Sequence, residues 1–304
     1  MDVYLPIAGL AVNGFVIVGL GALTGLLSGL FGVGGGFLTT PLLIFYGVPP
    51  TVAAASAASQ VTGASVSGVF AHYRRGGVDF HIGGVMVLGG FIGTGIGAVL
   101  FRFLQALGQI DTVINILYVV LLGSIGTVMA RESIQVIRAT RAGVPLPARK
   151  RRHHPLVASL PLRWRFYRSG LYISPLAPLL LGLATGIVTM LMGIGGGFVL
   201  VPAMLYILGM SANVVVGTSL FQILFTTMAT TLLHALTTQA VDIVLSVLLL
   251  FGSVTGAQLG ARVANRVSPV WLRLLLAVIV LLVALRLAIG LGYHPSEIYS
   301  VEPQ

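Results

Sequence analysis

The chain has 304 residues, of which 57% are hydrophobic and only 8% are charged. Soluble domains carry about 25% charged residues, so this composition excludes an ordinary water-soluble protein. The formal net charge is +10, and the absence of cysteine excludes disulfides, thiolate metal sites and cysteine nucleophiles.

Apolar segments follow one another along the chain, five on each side of a basic stretch. They lie at about 7–31, 37–47, 51–72, 80–104 and 111–131, and then at about 174–192, 198–209, 212–235, 242–264 and 271–291. Most approach the ~20 residues that a helix needs to cross a bilayer, but the second of each five is too short. None alternates between apolar and polar residues as the strands of an outer-membrane barrel do. The sequence therefore predicts an all-α polytopic membrane protein.

The two sets of five segments are related in sequence. The motif GVGGGF at 32–37 returns as GIGGGF at 193–198, and a proline follows four residues later in both. Polar residues also match in the same order: Gln60 with Gln222, His72 with His234, and Asp79 with Asp242. Apolar composition alone would not readily produce these polar matches, so the chain is interpreted as a duplicated unit. The predicted divisions are a first membrane repeat at 1–136, a basic linker at 137–173, a second membrane repeat at 174–292 and a C-terminal tail at 293–304.

Charge predicts how the repeats are oriented. Ten of the 17 basic residues lie between Arg131 and Arg168. Cationic loops of membrane proteins are usually cytoplasmic, so this stretch is expected inside, near anionic lipid headgroups. A nucleic-acid-binding loop is the alternative, but no nucleic acid is expected as a partner. The loop at 72–81 carries two arginines and its counterpart at 234–242 carries none, which predicts inverted repeats with both termini periplasmic.

Each glycine-rich motif interrupts an apolar stretch, although glycine destabilises a helix interior by about 1 kcal/mol relative to alanine. The loop charges agree with the positive-inside rule only if the chain enters and leaves the membrane on the same side across the two segments that flank each motif. Each motif is therefore predicted to be the tip of a broken-helix hairpin that begins its repeat. The short helices would begin near Phe37 and Phe198 and direct free N–H groups and positive dipole ends toward the midplane. Pro41 and Pro202 are expected near the first helical turn, where a missing donor costs least.

Two helix N-termini that face each other would form an anion site without arginine. The predicted substrate-binding residues are the tips and the polar side chains that follow them: Gly34, Gly35, Gly36, Phe37, Thr39, Ser56 and Gln60, and Gly195, Gly196, Gly197, Phe198, Thr218 and Gln222. Leu200 and Val201 occupy the positions of Thr39 and Thr40 in the second half, so an asymmetric site is expected. The alternatives are close helix packing for the glycines and interhelical hydrogen bonds for the polar side chains.

Other residues receive more ordinary predictions. Gly89, Gly93 and Gly97, and likewise Gly252, Gly256 and Gly260, are spaced four apart and are assigned to helix packing. His72 and His234 are candidates for carrying a coupled proton, with an interfacial anchor as the alternative. Asp79 and Asp242 are predicted helix N-caps. The acidic residues lie at segment ends and loops without a metal-like cluster, so no enzyme, catalytic residue, cofactor or metal is expected.

Two hydrophobic halves, each with a G-x-G-G-G-F tip, a proline four residues on and a later Ser/Thr-Gln segment, resemble the TauE/SafE sulfite exporter family. The resemblance covers residues from about 15 to 290. It implies a multi-pass transporter of the bacterial inner membrane that carries sulfite, organosulfonates or related small sulfur-containing anions, without an ATPase of its own. Alternating access of the two repeats would move the anion. An anion channel or a transporter of a different small anion remains an alternative, and a homo-oligomer stays open.

Overall fold

The computed structural model describes residues 2–31, 36–74, 76–142, 164–264 and 269–292. The first half begins with a hairpin of two strands and continues with five helices: β1 (Asp2–Leu5), β2 (Leu10–Asn13), α1 (Gly14–Phe31), α2 (Gly36–Phe45), α3 (Pro50–Arg74), α4 (Phe80–Ala106) and α5 (Ile110–Arg141). The second half repeats this order: β3 (Trp164–Phe166), β4 (Leu171–Ile173), α6 (Leu176–Met192), α7 (Gly197–Tyr206), α8 (Ala212–Leu233), α9 (Ile243–Ala264) and α10 (Pro269–Gly292). A π-helical turn, His234–Thr238, continues α8.

Each predicted apolar segment corresponds to one of these helices, and the differences lie at their ends. Residues 10–13, which were expected to be helical, instead form β2 and pair antiparallel with β1. Helix α5 continues about ten residues beyond 131, because RESIQVIRATR consists largely of good helix formers. The predicted linker therefore contains helix at its start and the β3–β4 hairpin at its end. Its middle, 143–163, and the tail at 293–304 lie outside the described residues.

The helices have the length and composition of a membrane protein. Five of the described helical stretches are long and apolar enough to cross a bilayer: Phe80–Ala106, Ile110–Thr140, Val214–Thr238, Ile243–Gly260 and Val270–Gly292. Large apolar side chains such as Phe15 and Val99 are more than 70% exposed, as expected where a helix faces lipid tails. Helix α3 is not among the five because it is rich in Ser, Thr and Ala, and its residues 53–58 are completely buried by protein.

Glycine allows the helices of the two halves to approach closely. Helix α1 packs along α9, and α4 packs along α6. A Cβ atom on Gly252 or Gly256 would fall on the backbone of α1, and one on Gly89 or Gly93 would fall on the backbone of α6. These contacts, together with those of Gly97 and Gly260, confirm that the regularly spaced glycines serve packing.

The two aspartates confirm their prediction as N-caps and do more. The Oδ1 of Asp79 accepts from the N–H groups of His81 and Ile82 at 3.0 and 3.3 Å, and the Oδ1 of Asp242 accepts from that of Leu245 at 3.1 Å. The second oxygen of each carboxylate holds a hairpin: Asp79 accepts from the N–H and hydroxyl of Ser169 between β3 and β4, and Asp242 accepts from the N–H of Ile7 between β1 and β2. Each half is thus fastened to the hairpin that precedes the other.

The prolines of the short helices lie deeper than expected. Pro41 and Pro202 are each the sixth residue of their helix, α2 and α7, and so lie in the second turn. Proline there cannot donate to the carbonyl four residues earlier, which belongs to Phe37 or Phe198. The prediction of a position near the first turn was wrong because each proline lies four residues after the phenylalanine, and both helices begin one residue earlier still, at Gly36 and Gly197.

Candidate functional site

The starts of the two short helices meet in the protein core. The rings of Phe37 and Phe198 stack with centroids 4.6 Å apart and planes inclined by 9°. Both side chains are completely or almost completely buried. A Cβ atom on Gly36 would lie 3.1 Å from the carbonyl oxygen of Ile194, so the start of α2 also touches the second glycine tip. The two predicted tips are therefore neighbours in the fold.

The second tip has the backbone conformation that its glycines permit. Gly193, Gly195 and Gly196 have φ values of +70°, +69° and +73°, a left-handed region that other residues enter at a cost. Gly193 ends α6 and Gly196 is the N-cap of α7. In the first tip, Gly34 and Gly35 lie outside the described residues.

The first backbone N–H groups of helix α7 lie at the second tip. The N–H groups of Val199 and Leu200 donate to the carbonyl oxygen of Gly196 at 3.0 and 2.8 Å. The N–H groups of Gly197 and Phe198 come before these bonds and have no intrahelical acceptor. Such groups, together with the positive end of the helix dipole, can bind an anion.

A group of buried polar side chains surrounds the second tip. We call it the threonine cluster: Thr185, Thr189, Gln222, Thr226 and Thr227. A Cβ atom on Gly196 would lie 3.1 Å from the Cβ of Thr185 and 3.3 Å from the Oγ1 of Thr189. The Nε2 of Gln222 donates to Thr226 Oγ1 at 2.8 Å and to Thr185 Oγ1 at 3.3 Å. The fold therefore brings Gln222 beside the tip.

Sequence reasoning missed the four threonines of this cluster. A signal was present only for Thr226, because residues 218, 222, 226 and 230 are three threonines and a glutamine at intervals of four, which lie on one helix face. The cluster extends to the first half, where Thr62 donates to the Oγ1 of Thr227 at 2.8 Å.

Gln60, the counterpart of Gln222, has a sparser environment. It lines a cavity of about 10 Å³ together with Gly25, Ser28 and Ser253, which is room for about one water molecule. The Oε1 atoms of both glutamines are buried without a hydrogen-bond partner. Both residues are almost fully buried, with exposed fractions of 2% and 0%.

Ser56 and Thr218 lie one turn before the glutamines, and their hydroxyls bind helix starts rather than the tips. Ser56 Oγ accepts from the N–H of Asp242 at 3.1 Å, and Thr218 Oγ1 accepts from the N–H of Asp79 at 2.9 Å. Thr39 is buried in the first turn of α2. Substrate contact by these three residues stays a prediction.

The two candidate proton carriers have different surroundings. His234 is fully buried, with Nε2 3.0 Å from the carbonyl oxygen of Met190 and Nδ1 3.1 Å from Thr238 Oγ1. Its ring also lies edge-on to Phe101. It therefore fastens the end of α8 to the last turn of α6. His72 lies in the last turn of α3 and is partly exposed. A proton-coupling role for either histidine stays a prediction.

A cavity of about 390 Å³, which we call the vestibule, reaches Phe198, the last residue of the second motif. Its lining includes Phe198 and Val201 near the start of α7, and Leu205 near its end. Glu132 and Arg273 also line it, and the hydroxyl of Tyr206 donates to Glu132 at 2.7 Å. The volume is within the range of small-molecule sites. No sequence signal predicted this cavity, because it forms where four helices, α5, α7, α8 and α10, meet.

Contacts hold the corresponding helix of the first half, α2, against its neighbours. Thr40 donates to the carbonyl oxygen of Met192 in α6 at 3.3 Å, and Tyr118 of α5 donates to the same oxygen at 2.7 Å. At the end of α2, the guanidinium of Arg286 lies 4.3 Å from the centre of the Phe45 ring. The surroundings of α2 and α7 therefore differ, although the two helices match in sequence.

Comparison with known proteins agrees with this architecture. The chain is 28% identical over 271 residues to the probable membrane transporter protein YjnA of Bacillus subtilis, covering 89% of this chain and 98% of that protein. It is 30% identical over 255 residues to a probable membrane transporter protein of Xylella fastidiosa, covering 83% and 85%. A shorter match, 34% over 101 residues, covers 32% of this chain and 21% of the sulfite exporter TauE/SafE family protein 3 of Arabidopsis thaliana.

No solved structure matches the chain significantly. The family model described as sulfite exporter TauE/SafE matches residues 17–287, which include all the described helices except the ends of α1 and α10. The chain belongs to the TauE/SafE sulfite exporter family of membrane transporters.

Proposed function

We propose that the protein is a secondary transporter of sulfite, an organosulfonate or a related small sulfur-containing anion, and that the anion binds where the two glycine tips meet. The observation that carries this proposal is the vestibule of about 390 Å³ whose lining includes Phe198 at the start of α7. The adjacent tip supplies left-handed glycines without side chains and the early N–H groups of α7. An anion can therefore approach the backbone closely at this point.

The anion would be held without a cationic side chain. Helices α2, α6, α7 and α8 contain no Lys, Arg, Asp or Glu. The available donors are the N–H groups of Gly197 and Phe198 and the hydroxyl of Thr189, which has no hydrogen-bond partner. Neutral donors suit a transporter because each bond is weak enough to be exchanged for water on release.

The two repeats would alternate access to this site. The stacked rings of Phe37 and Phe198 lie between the starts of α2 and α7, so unstacking them is the movement expected to transfer the anion from one side to the other. The vestibule is proposed to open to the cytoplasm of a bacterial inner membrane, because α5 runs past Glu132 into the basic linker. Both termini are then periplasmic.

The test is flux in proteoliposomes that contain the purified protein, with sulfite, a small organosulfonate, sulfate and a carboxylate as candidate substrates. We expect saturable flux of a sulfur-containing anion, and counterflow of labelled anion against its gradient when unlabelled anion fills the vesicles. Flux that does not saturate and shows no counterflow would identify a channel instead. Saturable flux of the carboxylate alone would mean that the family fold carries a different small anion.

A further inference from the structure

The two repeat-related glutamines share one unusual property. The Oε1 atoms of Gln60 and Gln222 are buried and have no hydrogen-bond partner. A buried acceptor without a partner keeps the full cost of its desolvation. Its occurrence at matching positions of both halves, one of them beside the second tip, points to a ligand that donates a hydrogen bond.

The neighbours of Gln222 fix which way its amide points. The hydroxyl of Thr185 donates to the carbonyl oxygens of Leu181 and Gly182 at 3.0 and 2.9 Å. A hydroxyl has a single hydrogen, so while Thr185 donates to these carbonyls it accepts from the amide. In this arrangement the Nε2 group faces Thr185 and Thr226, and Oε1 remains as an acceptor. Rotating the amide by 180° would set Oε1 against Thr185, which would have to give up its bonds to the backbone carbonyls in order to donate to it.

Donors lie at the tip next to Thr185. Thr189 is fully buried, its Oγ1 has no partner, and it lies next to Gly196. The early N–H groups of Gly197 and Phe198 are the other donors. The site thus combines several donors with one unpartnered acceptor. An oxyanion without a proton would satisfy the donors and leave Oε1 facing lone pairs.

We infer that the site selects a singly protonated oxyanion of the hydrogen sulfite type, whose O–H group donates to Gln222 Oε1 while its other oxygens accept from Thr189 and the tip. This inference rests on the proposed transport function and adds the protonation state of the substrate. The proton then crosses the membrane on the anion, and no protein side chain needs to carry it.

The charged and titratable groups on the surrounding helices agree with this role for the substrate. Helices α6 and α8 carry none, and α7 carries only Tyr206, its last residue, whose hydroxyl donates to Glu132. On α4, Gly90 is the residue beside the Gln222 amide. His81 and Arg102 are nine and twelve residues from Gly90, a separation of about 13 and 18 Å along a helix. On α3, His72 and Arg74 lie in the last turn. Both ring nitrogens of His234, which follows α8, are already occupied.

The experiment measures flux of sulfite and of methanesulfonate, an anion of similar size without an O–H group, in proteoliposomes over a series of equal internal and external pH values. We expect the KM for total sulfite to rise with pH while the KM expressed as hydrogen sulfite stays constant. Methanesulfonate should be transported at least about tenfold less efficiently, without this pH dependence. Equal efficiency for the two anions, or a constant KM for total sulfite, would overturn the inference but leave the transport function standing. Absence of saturable flux of either anion would instead count against the proposed function.

Two substitutions test the residue itself. Gln222→Met removes the acceptor and should reduce the preference for hydrogen sulfite over methanesulfonate by about tenfold, whereas Gln258→Met, on an exposed position of α9, should leave the preference unchanged. Thr185→Val frees the amide to rotate and should weaken the preference in the same direction, and Thr185→Ser should preserve it. An unchanged preference in both Gln222→Met and Thr185→Val would refute the role of Gln222. If neither variant reaches the membrane, the pH series on the unaltered protein still decides.

Discussion

Replacing Gly196 by alanine tests whether the second tip needs a glycine, because this residue lies beside Thr185 and Thr189 at the start of α7. Its φ value is +73°, and an L-residue in the left-handed region pays about 1–2 kcal/mol. The new Cβ would also lie 3.1 Å from the Cβ of Thr185 and 3.3 Å from the Oγ1 of Thr189, so these neighbours must move by a few tenths of an ångström. The tip should therefore be destabilised by roughly 1–2 kcal/mol, a factor of about 5–30 in its population.

The measurements are the melting temperature of the purified protein in detergent and the flux per inserted molecule in proteoliposomes. We expect Gly196→Ala to lower both while the protein still inserts into membranes. Gly84→Ala is the matched control, because Gly84 lies in α4 with no atom within 4 Å of its would-be Cβ and no positive φ. Alanine there should be neutral or slightly stabilising.

Gly196→Asn separates the two causes. Asparagine tolerates the left-handed region better than alanine but carries a Cβ and a polar side chain. Flux nearer to wild type in Gly196→Asn than in Gly196→Ala would assign the requirement to backbone conformation. Equal loss in both would assign it to the space beside Thr185 and Thr189. A Gly196→Ala protein with wild-type melting temperature and wild-type flux would refute the reasoning about the tip.

Three further predictions concern other parts of the fold. Gly256→Ala should lower the melting temperature, because its Cβ would fall on the backbone of α1, whereas Gly290→Ala, with open space around it, should not. Asp79→Ala should destabilise the protein by about 1 kcal/mol or more through loss of the cap, and Asp79→Asn by less, since asparagine also caps helices; equal melting temperatures would contradict this. The chain has no native cysteine, so a membrane-impermeant thiol reagent should label Leu205→Cys in the vestibule from one side faster than Ile44→Cys, its counterpart in α2.

The helices could be predicted because their signals are local. Apolar length and the glycine interruptions at 32–37 and 193–198 located every helix to within a few residues, apart from the ends of α1 and α5. The β1–β2 and β3–β4 hairpins were missed because each strand has only three or four residues and its stability depends on distant partners. The carboxylate of Asp242, which holds the first hairpin, lies 235 residues away from Ile7.

The candidate site was predictable only in part, for a similar reason. The glycine tips and the glutamines recur at matching positions of the two repeats. The sequence alone could therefore assign Phe198 and Gln222 to the centre of the protein. Thr185 and Thr189 belong to the site only because α6 turns back at Gly193 and sets its last two turns beside α8, which periodicity does not reveal. The vestibule depends on how four helices meet and has no signature in any one of them.

Differences between the repeats help to explain why the two short helices have different surroundings. Thr40 donates to the carbonyl oxygen of Met192 and so fastens α2 to the end of α6. The matching residue of α7 is Val201, which has no donor and instead lines the vestibule. A hydrogen bond of this kind contributes about 0.5–1.5 kcal/mol, and the Arg286–Phe45 contact adds to it on the same side. If the repeats exchange roles during transport, these contacts must break when α2 moves. The two conformations then differ in free energy because the two repeats differ in sequence. One side of the protein is therefore favoured to open when no anion is bound.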